Sequence, residues 1–158
     1  MKMNKYYRIL TFSVIVLSSI IFTCCKTVDP SAKVNYLSGD EQTVTVRVTG
    51  LGNDEEKAVI NAEQEVFDVL FFRGLPESQQ KMPLVGSNEQ GEKAKHKKYF
   101  DNFYDGKRHK TFIMSSIPVT NAVRVKGGQK MITLDVKVNL SALRRDLETF
   151  GIIRKFGY

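Results

Sequence analysis

The sequence predicts an α+β domain, a two-layer sandwich in which a small, mainly antiparallel sheet is covered on one face by two helices. Three observations carry that expectation. Val44, Val46 and Val48 alternate with Thr43, Thr45 and Arg47. Ile132, Leu134, Val136, Val138 and Leu140 alternate with Thr133, Asp135, Lys137 and Asn139. Between these runs, Ala58, Ala62, Val66, Val69 and Leu70 share one side at helical spacing. A period of two with one polar face marks a half-buried strand, and a period of 3.6 marks the helix that covers it.

The elements follow in the order strand, helix, strand, strand, helix. The first strand ends at Gly50-Leu51-Gly52. Asn53 and Glu56 then read as a variant capping box, and Asp54, Glu55 and Glu56 set negative charge at the positive end of the helix dipole. Gly74 suits a left-handed residue just past the helix end, and Pro76 forbids continuation. Gly127-Gly128 reads as a hairpin turn joining the 131–140 strand to one ending at Val123-Arg124-Val125. That partner runs back toward Thr111, Phe112, Ile113 and Met114. Pro118 lacks an amide donor, so it makes this strand an edge or interrupts it. Asn139 or Ser141 caps a final helix carrying Leu143, Leu147 and Phe150, which Gly151 ends. The uncovered sheet face is expected to show Thr45, Arg47, Thr133, Asp135 and Lys137, as a solvated surface or as a docking face for a second domain or copy.

Residues 77–110 form an insertion in this pattern. It holds Lys93, Lys95, His96, Lys97 and Lys98, then Tyr99, Phe100, Phe103 and Tyr104, then Lys107, Arg108, His109 and Lys110. Connections of this length without structure of their own are uncommon. Residues 92–104 read as a helix that packs Tyr99, Phe100 and Phe103 onto the core and turns its lysines to water. The sharper reading makes Lys95, Lys97, Lys98, Tyr99, Lys107 and Arg108 contacts for lipid phosphate or an acidic protein partner.

The N-terminus carries a different signal. Lys2, Lys5 and Arg8 precede residues 9–22, which contain no charge. A basic segment before a short apolar run is the layout of a signal peptide, and the run is short for a span needing about 20 apolar residues. It ends in Phe22-Thr23-Cys24-Cys25-Lys26, which resembles a lipobox, the motif that places small residues before a cysteine whose thiol takes a diacylglycerol. Cys25 is the favoured lipidation site, with Cys24 at the small −1 position. Cys24 is the alternative, with bulky Phe22 then at −2. The chain therefore divides into a signal peptide (1–24), a lipidated cysteine and tether (25–40) and one α+β domain (41–158).

Location and composition narrow the function classes. The formal charge of +7 falls to +4 once Lys2, Lys5 and Arg8 leave with the signal peptide. Much of the basic balance is thus targeting chemistry, and nucleic acid is not an expected partner. No cysteine follows Cys25, so no disulfide, zinc set or thiol chemistry is expected in the domain. The chain has no His-Glu-x-x-His, no Gly-x-Ser-x-Gly and no phosphate loop, and His96 and His109 stand among lysines. Neither an enzyme nor a cofactor is expected. Lys26 after Cys25 and the single nearby acid, Asp29, point to the periplasmic side of an outer membrane.

The strand-Gly-x-Gly-helix junction from Val48 to Ala58, and Val136-Lys137-Val138-Asn139-Leu140 before a leucine-rich helix and Gly151, resemble the N-terminal domain type of flagellar assembly protein T and its lipoprotein relatives. In size and layout the chain is also similar to the TssQ-type lipoproteins of the type VI secretion apparatus of Bacteroidota. That resemblance implies a structural role: a lipid-anchored subunit linking a membrane to envelope protein partners. A ligand- or lipid-binding lipoprotein is the other reading.

Overall fold

A computed structural model describes residues 34–125 and 127–155. The expected signal peptide, Cys24, Cys25 and tether residues 26–33 lie outside the described residues. The elements are β1 (Val34–Gly39), β2 (Thr43–Gly52), α1 (Glu55–Phe72), α2 (Glu89–Lys95), α3 (Lys97–Tyr104), a 3₁₀ segment (Arg108–Phe112), β3 (Ile113–Pro118), β4 (Val123–Arg124), β5 (Lys130–Asn139) and α4 (Leu140–Thr149). The fold is α+β with a small antiparallel sheet, as the patterning predicts. Its strand order is β1-β2-β5-β3, with β4 beside β3 on the same flank of β5.

β5 lies inside the sheet, and its alternation is complete: Ile132, Leu134, Val136 and Val138 are buried while the residues between them are not. It pairs with β2 in unbroken register from Thr43↔Asn139 to Gly52↔Lys130. That register turns Val44, Val46 and Val48 inward beside the buried residues of β5. The Val123–Arg124 hairpin partner and the Gly127 and Gly128 turn, both at positive φ, also match the sequence reading.

The 18-residue helix α1 lies across β2 and β5. Its predicted face, Ala58, Ala62, Val66, Val69 and Leu70, is buried. The closeness of this packing explains two glycines. A Cβ at Gly50 would lie 2.2 Å from the Ala58 carbonyl oxygen, and one at Gly52 would lie 2.3 Å from the Ala58 nitrogen. The helix N-cap is Asp54, which accepts from the Lys57 amide at 2.8 Å, so the capping residue is one later than the Asn53 of the sequence reading. The C-terminus ends as expected at Gly74, φ +78°, whose amide reaches Val69 O at 2.7 Å.

The structure corrects three further expectations. Val34–Gly39 is β1, not tether: it pairs with β2 along the sheet edge, with a bulge between Tyr36 and Ser38. The helix expected over residues 92–104 is two helices that meet at His96. Thr111 and Phe112 belong to the 3₁₀ segment, so β3 starts at Ile113 and ends at Pro118.

α1, α3, the 3₁₀ segment and α4 together enclose an aromatic core. Phe103 meets Phe71 and Phe67 near edge-on, with ring centroids 5.0 and 5.1 Å apart, and Phe100, Phe112 and Tyr99 complete the cluster. Tyr99, Phe100 and Phe103 are buried as the sequence reading requires. The insertion is also tied to α1 by charge: Lys93 Nζ lies 2.9 Å from Asp68 and 2.8 Å from Glu89, above the Phe72 and Tyr104 rings. The last helix is capped by Asn139, which accepts from the Ala142 amide at 2.9 Å. Phe150, expected on that helix's apolar side, lies past its end and is 53% exposed.

Candidate functional site

Most of the predicted contact residues gather at the junction of α2 and α3. The chain turns at His96 between α2 and α3, and this turn sets Lys95, Lys97 and Lys98 at the mouth of a cleft of about 460 Å³. Tyr99, Arg108, Phe150 and Ile152 line it from the other sides, with His96 and Asn102. Five of the six predicted contacts thus share one cleft. Lys107 does not: it sits at φ +56° before the 3₁₀ segment, with Nζ 3.9 Å from Glu56.

The cations differ in how they are held. Arg108 donates to Asp146 and lies 4.7 Å from the centre of the Phe150 ring. Tyr99 also donates to Asp146, at 2.9 Å. Burial pushes the Tyr99 hydroxyl up, and the Asp146 carboxylate adds to the shift, so Tyr99 stays protonated. Lys97 pairs with Asp101 at 2.5 Å, which raises its ammonium pKa through the hydrogen bond and the charge. Lys95 is 3.9 Å from Glu92 and 67% exposed. Lys98 is exposed and has no charged partner among the described residues.

The second surface is the outer sheet face. Arg47 and Asp135 face each other across β2 and β5, joined by bonds of 2.8 and 2.9 Å, and Asp135 is held below the usual carboxylate range by Arg47. Thr49 and Thr133 are bonded beside them at 3.1 Å. The register sets Ile117 next to Asp135, and Val123, Met131 and Leu51 in a second row. Ile117 is 60% exposed, and Met114, Val119 and Val123 are also exposed along the β3–β4 edge.

Sequence reasoning missed the buried cluster. His109 is fully buried and Glu63 is 5% exposed. His109 Nδ1 donates to the Phe103 carbonyl at 3.1 Å, since a carbonyl can only accept, and Nε2 faces Glu63 Oε2 at 3.8 Å. Burial pushes the Glu63 carboxyl up, but His109, Ser116 and Lys110 outweigh it and hold the group below its usual range. A signal was present: Glu63 interrupts Val59, Ile60, Val66, Phe67 and Leu70 at helical spacing, so its carboxyl had to meet a partner inside. The cluster joins α1, the 3₁₀ segment and β3 through Glu63, His109 and Ser116.

Among the described residues, no group of three or more His, Cys, Asp or Glu could hold a metal ion, and no helix is long and apolar enough to cross a membrane. Comparison of the chain with protein-family models, curated proteins and solved structures gives no match in any of the three.

Proposed function

We propose that this protein is a non-catalytic, lipid-anchored envelope subunit that docks a larger assembly through the outer face of its sheet. The observation that carries the reading is the contrast between the two sheet faces. α1, α3, α4 and the 3₁₀ segment serve the inner face, where the core is filled by Phe67, Phe71 and Phe103. The outer face is left with Ile117, Val123, Met131 and Leu51 among ion-paired and hydroxyl side chains. Val123, Met131 and Leu51 form one apolar row rimmed by polar side chains, the kind of surface that marks protein contacts.

The partner that fits is another envelope protein presenting an apolar surface. Addition of a strand to β3 is less suited, because the bulge at Met114 and Pro118 shorten the regular edge. The lipobox-like Cys24-Cys25 pair supports anchorage, and the resemblance to TssQ-type lipoproteins supports a secretion apparatus as the assembly.

The test is co-purification from solubilised membranes with wild type and with Ile117→Lys and Met131→Lys. Stoichiometric recovery of envelope proteins with wild type, lost in the lysine variants while their folding is unchanged, supports the reading. A lone monomer in every preparation overturns it.

A further inference from the structure

We propose that the cleft between the α2–α3 turn and the segment after α4 binds one phosphate group carried on an apolar body. This is the chemistry of an anionic lipid head group with its chain, or of a free alkyl phosphate. The site is separate from the outer sheet face and does not rest on the docking reading.

Charge points to an anion. The cleft lining carries Lys95, Lys97, Lys98 and Arg108 and no carboxylate. Lys98 has no charged partner among the described residues, and Lys95 is only loosely held by Glu92. The turn at His96 adds to the same field. α3 begins with Lys97 and Lys98, with no acidic residue in its first turn and no side-chain cap, whereas α1 and α2 each begin with a cap and acidic residues. Lysines at the positive end of a helix are unfavourable for the helix alone, and an anion there relieves the repulsion.

The kind of cation points to phosphate. Arg108 already donates through one guanidinium nitrogen to Asp146 and lies over the Phe150 ring, so it is less free than the lysines to wrap a new anion. Of the remaining cations Lys97 is paired with Asp101, whereas Lys95 and Lys98 are exposed ammoniums on flexible stems, which can gather as point charges around a tetrahedral oxyanion. His96 also lines the cleft, but its Nε2 is buried and faces Glu92 Oε2 at 3.7 Å, so the lysines are the groups open to an anion.

The floor points to an apolar body. Tyr99, Phe150 and Ile152 line the same cleft as the lysines, and Phe150 keeps about half its surface open although Tyr99 and Arg108 already pack on it. The volume of about 460 Å³ lies in the range of small-ligand sites, roughly 300–1,000 Å³.

The experiment uses the full-length chain in phosphatidylcholine nanodiscs, read by nuclear magnetic resonance shifts at Lys98, Tyr99 and Phe150. The probes are hexyl phosphate, inorganic phosphate, hexanoate, hexanol and hexaglutamate. Hexyl phosphate is expected to bind saturably and at least about tenfold more tightly than any of the others, a difference of about 1.4 kcal/mol. Combined Lys95→Gln, Lys97→Gln and Lys98→Gln should weaken it by a similar factor while circular dichroism and the melting temperature stay unchanged. A second arm replaces part of the phosphatidylcholine with phosphatidate. Shifts of the same resonances without added probe identify the bilayer as the source, and shifts with hexyl phosphate alone identify a free amphiphile; either supports the site. Equal or tighter binding of hexaglutamate, hexanoate or inorganic phosphate overturns it, as does binding that the lysine substitutions leave intact. No shift in either arm also overturns it.

Discussion

Gly50 on β2 passes so close to Ala62 on α1 that a Cβ at position 50 would stand 2.6 Å from the Ala62 Cβ and 2.2 Å from the Ala58 carbonyl oxygen. Helix backbone and strand backbone thus touch where the glycine has no side chain, and neither atom can swing aside. Gly50→Ala is expected to destabilise the domain by about 2–3 kcal/mol, because overpacking forces backbone shifts. Chemical denaturation measures it. Gly127→Ala is an informative comparison: its φ of +92° is also strained for alanine, but nothing lies near its Cβ, so the loss should be smaller.

Glu63 makes stability sensitive to acid. Its folded-state pKa is depressed, so folding favours the carboxylate. That contribution is fully present above the unfolded value, about 4.3, and is lost as pH falls through the folded value. Glu63→Gln cannot titrate. The wild-type stability should therefore drop more steeply than that of Glu63→Gln as pH is lowered from 5 to about 3 in denaturant titrations. Parallel curves would show that Glu63 is not among the groups responsible.

Tyr99 joins the insertion to the last helix through Asp146. Tyr99→Phe keeps the ring in the core and removes one hydrogen bond to a charged acceptor, at a cost of about 1–2 kcal/mol. Tyr99→Ala also empties the ring's place and should cost about 3–5 kcal/mol. Thermal unfolding of the two variants separates the polar contribution from the packing one.

Anchorage is checked by labelling with radioactive palmitate. Cys25→Ser is expected to abolish incorporation and to accumulate the uncleaved precursor. Cys24→Ser should be processed normally, since serine is also small. The reverse pattern would assign the lipid to Cys24.

Where a residue's position depended on its near neighbours in sequence, the pattern was legible. β2, β5 and α1 each have one unbroken apolar face, and the Gly127-Gly128 hairpin and Gly74 cap are local chemistry. β1 was not legible because its bulge at Leu37 breaks the alternation and most of the strand is exposed. His109 was hidden by the lysine and arginine around it. In a 3₁₀ turn, residues three apart share a side, so His109 and Phe112 go inward together while Lys110 stays out. The cleft was legible as a list of basic and aromatic residues and not as a place, since Phe150 and Ile152 join it from more than 40 residues away in sequence. Lys107 could not be told from its neighbours, because one left-handed residue turns it toward Glu56.

β1 has a mechanical consequence. Among the described residues it is the first strand and has one neighbour, β2, whereas β5 is held from both flanks. A pull on the N-terminus therefore loads the sheet's outermost ribbon before it reaches β2, α1 or the aromatic interior. Peeling that ribbon would release about 20 Å of chain, at roughly 3.3 Å per residue over a six-residue strand, before β2 is loaded. In a chain anchored as proposed, the strand that closes one side of the sheet would be the first to yield length.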